Sequence, residues 1–208
     1  MDNLQPLFDH LYAGNGLTRE QTAQIFSAII NGEMEPATMA GMLVALKMRG
    51  ETIDEITGAA DALRQAAKPF PRSAQSIESG IVDIVGTGGD GYNTINISTT
   101  AAFVAAAAGA KVAKHGNRSV SSKSGSSDLL SHCGIALTMA PETASQCLDK
   151  LGLCFLFAPH YHSGVRHAMN VRTSLKTRTI FNILGPLANP AAPEVQLLGV
   201  YDESLCMP

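Results

Sequence analysis

The chain has 208 residues, enough for one large domain or for a medium and a small one. Apolar residues make up 45% and charged residues 16%, a composition that predicts a packed globular core and excludes a disordered chain. The net charge of −3 excludes a bulk attraction to nucleic acid, and no apolar run approaches the ~20 residues that a membrane-spanning helix needs.

The first 70 residues are predicted to form a small helical domain. Thr18 with Gln21, and Thr52 with Glu55, have the spacing of capping boxes, and apolar residues follow each pair at helical intervals. These apolar stripes indicate the domain's own core together with a dimer face; a surface for a partner helix is the alternative.

From Gly80 onward the pattern alternates between short β-branched runs and helix-forming stretches. This alternation predicts an α/β domain over residues 71–208, with a mixed, mainly parallel sheet. The predicted strands are residues 81–85, 111–113, 135–138, 154–157 and 195–201, and the predicted helices are residues 98–108, 127–132 and 141–151.

A glycine-rich turn, GTGGDG at residues 86–91, follows the first of these strands directly. Glycines permit close backbone approach, and the free N–H groups of such a turn bind anions. The pattern also fits the dinucleotide fingerprint GxGxxG, but residues 92–97 separate it from the helix, and no acid follows at the spacing expected for ribose binding. A purely structural turn is the third interpretation.

Two further stretches carry donors for a polyanion. Asn96, Ile97, Ser98 and Thr99 open the Ala-rich helix, where free N–H groups favour phosphate, although a simple N-cap would have the same residues. The stretch KHGNRSVSSKSGSSD at residues 114–128 follows a predicted strand and lacks the order of a P-loop. It is interpreted as a ligand loop, with a solvated serine-rich loop as the alternative.

The second half adds histidines, cationic residues and cysteines. His160, His162 and His167 allow a metal site, although no Cys or acid stands at ligand spacing. Among the later cationic residues, one guanidinium could clamp a substrate carboxylate bidentately. The four cysteines show no metal spacing and the N-terminus has no signal-peptide pattern, so we expect reduced thiols and a cytoplasmic protein.

Four motifs in one order resemble the anthranilate phosphoribosyltransferase family: GTGGD at residues 86–90, NIST at 96–99, KHGNRSVSSKSGSSD at 114–128 and RTIFNILGPLANP at 178–190. The resemblance implies a helical domain that forms a homodimer and an α/β domain, here incomplete at its C-terminal end. It implies anthranilate and 5-phosphoribosyl diphosphate as substrates, Mg²⁺ as cofactor, and tryptophan biosynthesis as the pathway. One stretch departs from the commonest pattern, because Ser163, Gly164 and Val165 replace Pro-Ala-Met after His162.

The resemblance also implies roles for individual residues. Anthranilate would contact Gly86, Asn117 and Arg172, and Ser98 would reach one Mg²⁺. The sugar diphosphate would be held by Gly86, Gly89, Asp90, Thr94, Asn96, Ile97, Ser98, Thr99, Lys114, His115, Gly116, Asn117, Arg118, Ser119, Val120, Ser121, Ser122 and Ser126. No general base is assigned, since the arylamine is already neutral at pH 7, and His115 is a candidate for either a base or a substrate-positioning group.

Family members run beyond residue 208 and carry a later Asp-Glu pair for a second Mg²⁺, and Asp202 and Glu203 are too early to be that pair. Two alternatives to the transferase therefore stand. One is a pyrimidine nucleoside phosphorylase, which has a related fold and a similar glycine-rich phosphate loop. The other is an inactive fragment that dimerises through its helices.

Overall fold

The computed structural model describes residues 3–88, 95–118 and 125–207. The chain forms two units, here called the helical unit (Met1–Ala67 with His162–Ala188) and the α/β unit (Lys68–Tyr161 with Asn189–Met207). The sequence predicted one boundary at residue 70. By its contacts, the mostly helical segment 162–188 groups with the first helices, and Ala168 and Val171 of this segment are buried.

Helices and strands follow one another along the chain with short connections. In chain order they are α1 (Gln5–Tyr12), α2 (Arg19–Ile30), α3 (Pro36–Arg49), α4 (Ile53–Gln65), α5 (Ala74–Ser79), β1 (Val82–Gly86), α6 (Ile97–Ala107), β2 (Val112–Gly116), α7 (Ser126–His132), α8 (Pro141–Leu151), β3 (Leu153–Phe157), α9 (Ala158–Tyr161), α10 (Arg166–Leu175), α11 (Phe181–Leu187) and β4 (Val195–Gly199). Short 3-10 turns cover Ser163–Val165 and Glu203–Leu205.

Capping boxes begin two helices of the helical unit, as the sequence predicted. The Thr18 hydroxyl accepts from the backbone N–H of Gln21, and the Gln21 side chain accepts from the backbone N–H of Thr18. Thr52 and Glu55 do the same at the start of α4. These contacts satisfy N–H groups that a helix start otherwise leaves open.

The core of the helical unit is apolar. Its fully buried side chains come mainly from α2 and α3: Ile25, Phe26, Ile29, Met42, Leu43 and Leu46. Helix α4 approaches α2 closely because Gly58 has no side chain; a Cβ there would lie 2.1 Å from the Arg19 carbonyl oxygen. Any larger residue at position 58 would force the two helices apart.

The α/β unit contains a four-stranded sheet in the order β3-β2-β1-β4. Every pairing among these strands is parallel, with Val82 opposite both Val112 and Val195. The expectation of an α/β fold with a mainly parallel sheet is confirmed. Residues Val112 and Ala113 of β2 are fully buried, as expected for an inner strand of a covered sheet, and Leu156 of the edge strand β3 is fully buried as well.

The predicted strand at residues 135–138 is wrong. These residues form irregular backbone between α7 and α8, and Ile135 and Leu137 pack against Phe155 and Phe157 of β3. The apolar side chains suggested a strand here, but they belong to a loop and pack against the neighbouring strand. Within the part of the chain that the structure describes, no helix is long and apolar enough to span a bilayer.

Candidate functional site

The carboxyl ends of β1 and β2 lie at one edge of the sheet, the edge where parallel α/β proteins bind ligands. Gly86 ends β1 and Gly116 ends β2. A Cβ on Gly86 would lie 3.2 Å from the Gly199 carbonyl oxygen, and one on Gly116 would lie 2.8 Å from the Phe155 ring. Both glycines therefore permit close packing of the strand ends beneath the loops that follow.

The start of the turn after β1 is anchored by Thr87. Thr87 donates its N–H to the Gly199 carbonyl oxygen at 2.9 Å, and its hydroxyl accepts from the Tyr201 N–H at 3.0 Å. Gly88 has φ +66°, a conformation that glycine adopts without strain, and no atom of the described residues lies within 4 Å of where its Cβ would be.

The start of α6 contains buried polar atoms without partners. Asn96 is the N-cap residue, yet its side chain makes no capping hydrogen bond. The Asn96 amide nitrogen and the Thr99 hydroxyl are both buried, and neither has a hydrogen-bond partner among the described residues. Buried polar groups are normally paired, so these two atoms indicate a polar ligand at this helix start. Ser98 is half-buried beside them, and Ile97 is exposed.

Lys114 lies in the interior of the sheet. Its ammonium donates to the Ile84 carbonyl oxygen at 2.6 Å, and only 3% of the residue is exposed. Burial lowers the pKa of Lys114, and the negative charge of Asp83 opposes that shift. The lysine is therefore a buried cation beneath the strand ends, with its amine already bonded to backbone.

Asp83 and Asn189 join three segments of the α/β unit. The Asn189 amide donates to the Asp83 carboxylate at 2.8 Å and to the Ala113 carbonyl at 2.9 Å, and its oxygen accepts from Ala191 at 2.8 Å. Asp83 also accepts from the backbone N–H of His115 at 3.3 Å. Burial raises the pKa of Asp83, while these donors and Lys114 act in the opposite direction.

The remaining described candidates differ in exposure. His115 is 2% exposed, which agrees better with a positioning role than with a base that must meet substrate and water. Asn117 and Arg118 are exposed, and the Asn117 side chain accepts from the Arg118 N–H at 2.7 Å. Ser126 begins α7 and is half-buried near Gly116.

Arg172 belongs to the helical unit, on α10. Its guanidinium carbon lies 5.1 Å from the centroid of the Phe181 ring, and one nitrogen lies 3.9 Å from the Met169 sulfur. Among the ion pairs of the described residues, none includes Arg172. Burial lowers the pKa of this guanidinium, which nevertheless stays charged at neutral pH. A half-buried cation without an acid partner suits a carboxylate ligand.

Several predicted residues lie outside the described part of the chain. They are Gly89, Asp90, Thr94, Ser119, Val120, Ser121 and Ser122.

The described residues also bear on the predicted metal sites. Over residues 3–88, 95–118 and 125–207, no cluster of three or more His, Cys, Asp or Glu side chains could hold a metal ion, so the histidine site finds no support. His162 instead forms a 2.8 Å hydrogen bond with the Ala188 carbonyl. The half-buried Ser98 hydroxyl, a neutral hard donor, fits a Mg²⁺ ion that takes most of its ligands from a diphosphate and water.

Sequence reasoning missed Asp83 and Asn189. Both had a signal: Asp83 interrupts an otherwise apolar strand, IVDIV at residues 81–85, and Asn189 stands in the motif GPLANP. A carboxylate in a buried strand needs donors, and an asparagine side chain can supply them. The sequence could not show that these two residues, 106 positions apart, meet.

Two family domains cover nearly the whole chain. Residues 5–67 match the helical bundle domain of a glycosyl transferase family, and residues 78–208 match the α/β domain of that family.

Named relatives agree with these matches. The anthranilate phosphoribosyltransferase of Shewanella frigidimarina is 84% identical over 208 residues, covering 100% of this chain and 60% of that protein. The crystal structure of the enzyme from Thermus thermophilus is 44% identical with a TM-score of 0.90, over 97% of this chain and 60% of that one. The enzyme from Saccharomyces cerevisiae, in complex with PRPP and Mg, is 29% identical with a TM-score of 0.89, over 99% and 60%.

The chain thus spans about 60% of the length of the relatives it matches, and none of these is named a nucleoside phosphorylase. Its fold agrees with those matches. The chain belongs to the glycosyl transferase family with a helical bundle domain and an α/β domain, and the members it resembles are anthranilate phosphoribosyltransferases.

Proposed function

We propose that this chain supplies the substrate-binding residues of an anthranilate phosphoribosyltransferase. That enzyme transfers the 5-phosphoribosyl group of 5-phosphoribosyl diphosphate to the amine of anthranilate, a step of tryptophan biosynthesis. The anthranilate nitrogen forms a bond to the anomeric carbon, the bond from that carbon to diphosphate breaks, and the amine loses one proton.

The observation that carries this proposal is the start of α6. Among the described residues, the Asn96 amide and the Thr99 hydroxyl have no hydrogen-bond partner, so both are available to a ligand. Phosphate oxygens are strong acceptors and are favoured by the partial positive charge of a helix N-terminus. The open backbone at Gly88 adds donors from the end of the neighbouring strand.

The leaving diphosphate gains negative charge as the anomeric bond breaks. Fixed donors at the start of α6 and in the glycine-rich turn stabilise that charge without having to reorganise. Lys114 contributes a buried positive charge beneath the strand ends, although its amine is bonded to Ile84. Mg²⁺ bound at Ser98, when present, would neutralise part of the diphosphate charge.

The nucleophile is held by its carboxylate. Arg172 of the helical unit provides a charged fork that matches a carboxylate geometrically. Holding anthranilate in position lowers the entropic barrier, and no proton has to be removed before attack. His115 is 2% exposed, and this burial favours a positioning role over that of a base that must meet substrate and water.

Turnover tests the proposal. Residues 1–208 are assayed alone, and also joined to the C-terminal part of the Shewanella frigidimarina relative, with anthranilate fluorescence as readout and Mg²⁺ and 5-phosphoribosyl diphosphate present. We expect the joined protein to consume anthranilate. No turnover by a folded joined protein, or phosphorolysis of thymidine or uridine instead, would contradict the proposal. Turnover by residues 1–208 alone would show that the later acidic pair is dispensable.

Site variants locate the function. In the joined protein, Asn96→Ala is expected to raise KM for 5-phosphoribosyl diphosphate about tenfold, because one hydrogen bond to a charged group is lost. Arg172→Gln is expected to raise KM for anthranilate about 10- to 100-fold, with Arg166→Gln on the same helix as an exposed control. If Arg172→Gln raised both KM values equally, the proposed role of Arg172 in binding anthranilate would be wrong.

We also propose that the protein is cytoplasmic and forms a homodimer. The dimer interface would lie on the helical unit. Tyr12, Val44 and Met48 are exposed apolar residues, and Val44 and Met48 lie one turn apart on α3. The four cysteines are free thiols, as expected in a reducing compartment. Light scattering should show a dimer that Met48→Glu dissociates and Ile77→Glu, an exposed site in the α/β unit, leaves intact. A monomeric parent protein would refute the dimer.

A further inference from the structure

The guanidinium of Arg172 rests on an aromatic ring and not on an acid. Its central carbon is 5.1 Å from the centroid of Phe181, within the ~6 Å range in which a cation is attracted to a ring face. The other polar contact of its side chain that the structure gives is the Met169 sulfur, a weak acceptor at 3.9 Å. The ring is therefore the strongest described attraction that holds the guanidinium in place.

A ring and an acid differ in what they leave available on the guanidinium. An Asp or Glu partner would neutralise the guanidinium and occupy its paired N–H donors, which would then be lost to a ligand. A ring attracts the charge through its electron-rich face and leaves the charge and most N–H donors available. Phe181 can thus restrict where the cation lies without competing with a carboxylate.

Local structure fixes the ring and the cation relative to each other. Helix α10 ends at Leu175 and is followed by its C-cap Lys176, which has φ +49°, and Phe181 is the first residue of α11. The N–H of Thr179 bonds to the Asn182 side chain at 3.0 Å and begins that helix. The ring itself is 7% exposed and packs against Phe26, with ring centroids 5.4 Å apart. The short segment between α10 and α11, fixed by the Thr179–Asn182 hydrogen bond, therefore places the Phe181 ring next to the guanidinium.

We propose that Phe181 is a positioning residue for anthranilate: its ring holds the Arg172 guanidinium so that the paired N–H donors meet the substrate carboxylate. This inference rests on the proposed function, because it assumes that Arg172 binds that carboxylate. It assigns Phe181 no contact with substrate. The benefit is a cation that is ordered before anthranilate arrives, which reduces the entropy lost on binding.

The competing explanation is that Phe181 only fills the core. Phe26 provides the matched control, because it is fully buried against the same ring and has no ring contact with Arg172. Phe26→Leu and Phe181→Leu remove similar volume from one cluster, and only Phe181→Leu removes the ring from the guanidinium. Both variants are made in residues 1–208 joined to the C-terminal part of the Shewanella frigidimarina relative.

Steady-state kinetics separate the two explanations. Phe181→Leu is expected to raise KM for anthranilate about 3- to 30-fold, while KM for 5-phosphoribosyl diphosphate changes less than about twofold. Loss of binding shared by ground and transition states raises KM and leaves kcat nearly unchanged. Phe26→Leu should leave both KM values close to the parent. Equal increases from Phe26→Leu and Phe181→Leu would overturn the inference, since core packing would then explain both.

A double-mutant cycle completes the test. In an Arg172→Gln background, Phe181→Leu should have no further effect on KM for anthranilate, because the ring acts through the guanidinium. A full additional increase would overturn the positioning role. If Arg172→Gln alone leaves KM for anthranilate unchanged, Arg172 does not bind the carboxylate, and this part of the proposed function is wrong. If Phe181→Leu does not fold, Phe181→Met replaces it, since methionine fills more of the ring's volume.

Discussion

The start of α6 is built differently from the starts of α2 and α4. In the helical unit, α2 and α4 each begin with a complete capping box in which side chains satisfy the first N–H groups. In the α/β unit, the N-cap residue of α6 is Asn96, whose side chain makes no capping hydrogen bond and whose buried amide has no partner among the described residues. Side chains thus close the starts of α2 and α4, whereas the N-cap side chain of α6 closes nothing.

Buried carboxylates show a second contrast. In the helical unit, Glu55 is fully buried and accepts from the N–H groups of Leu17 and Thr52 and from the Arg49 guanidinium. In the α/β unit, Asp83 is equally buried but accepts mainly from neutral amide donors. Glu55 thus has a charged partner in direct contact, and burial is the dominant influence on Asp83. The helical unit neutralises its interior charge locally, while the α/β unit keeps an acid and a lysine beneath its ligand edge.

The largest expected effect is at Glu55. Glu55→Ala removes the acceptor of two buried N–H groups and leaves the Arg49 guanidinium unpaired. Breaking a buried ion pair in this way costs about 3–5 kcal/mol in the free energy of unfolding. Urea unfolding followed by circular dichroism measures the loss. Asp54→Ala, at an exposed position in the same helical turn, should cost less than about 0.5 kcal/mol. Similar losses from both variants would show that the buried ion pair between Glu55 and Arg49 does not stabilise the protein.

The second largest loss of stability is expected for a substitution of Asn189. Asn189→Ala removes two donors and one acceptor that connect β1, β2 and residue 191, and it leaves buried groups unpaired. The expected loss is about 2–3 kcal/mol in the free energy of unfolding, measured by urea denaturation. Gln75→Ala, an exposed amide of the same unit, is the control. A loss below about 0.5 kcal/mol would mean that the polar connection does not support the sheet.

A pair of helix-start variants tests the first contrast directly. Thr18→Ala should destabilise the protein by about 1 kcal/mol, because a capping hydrogen bond is lost. Asn96→Ala should change stability by less than about 0.5 kcal/mol, because no capping bond exists to lose. Thermal unfolding without ligand compares the two. If Asn96→Ala destabilises as much as Thr18→Ala, the start of α6 is a structural cap and the contrast fails.

Local patterns predicted much of the fold, and tertiary contacts account for what they missed. The capping boxes at Thr18 and Thr52 depend on residues three positions apart, so the sequence alone located them. The sequence predicted a helical and an α/β part, but not that residues 162–188 group with the first helices, because the contacts that join them are distant in sequence. The run at residues 135–138 has the apolar character of a strand, but no pairing partner.

The candidate site follows the same rule. Gly86, Ser98 and Gly116 stand at strand or helix boundaries that periodicity reveals, so motifs and elements pointed to one edge of the sheet. The sequence did not single out Phe181, because nothing in it says that this ring lies against the Arg172 guanidinium. Pairings between remote side chains are set by the packed fold, and only the structure shows them.

The smallest effect concerns the pH dependence of stability. Burial raises the pKa of Asp83 above its ordinary value of 3.8, so the folded state binds a proton at a higher pH than the unfolded state does. Stability from this group therefore increases as pH falls through the raised folded-state pKa, and the increase ends below the ordinary value. Asp83→Asn removes the titration while other carboxylates titrate in both proteins. The difference in unfolding free energy between parent and variant should thus shift in the parent's favour between pH 7 and pH 4. A shift in the opposite direction would mean that hydrogen bonds from Asn189 and His115, and the charge of Lys114, outweigh burial.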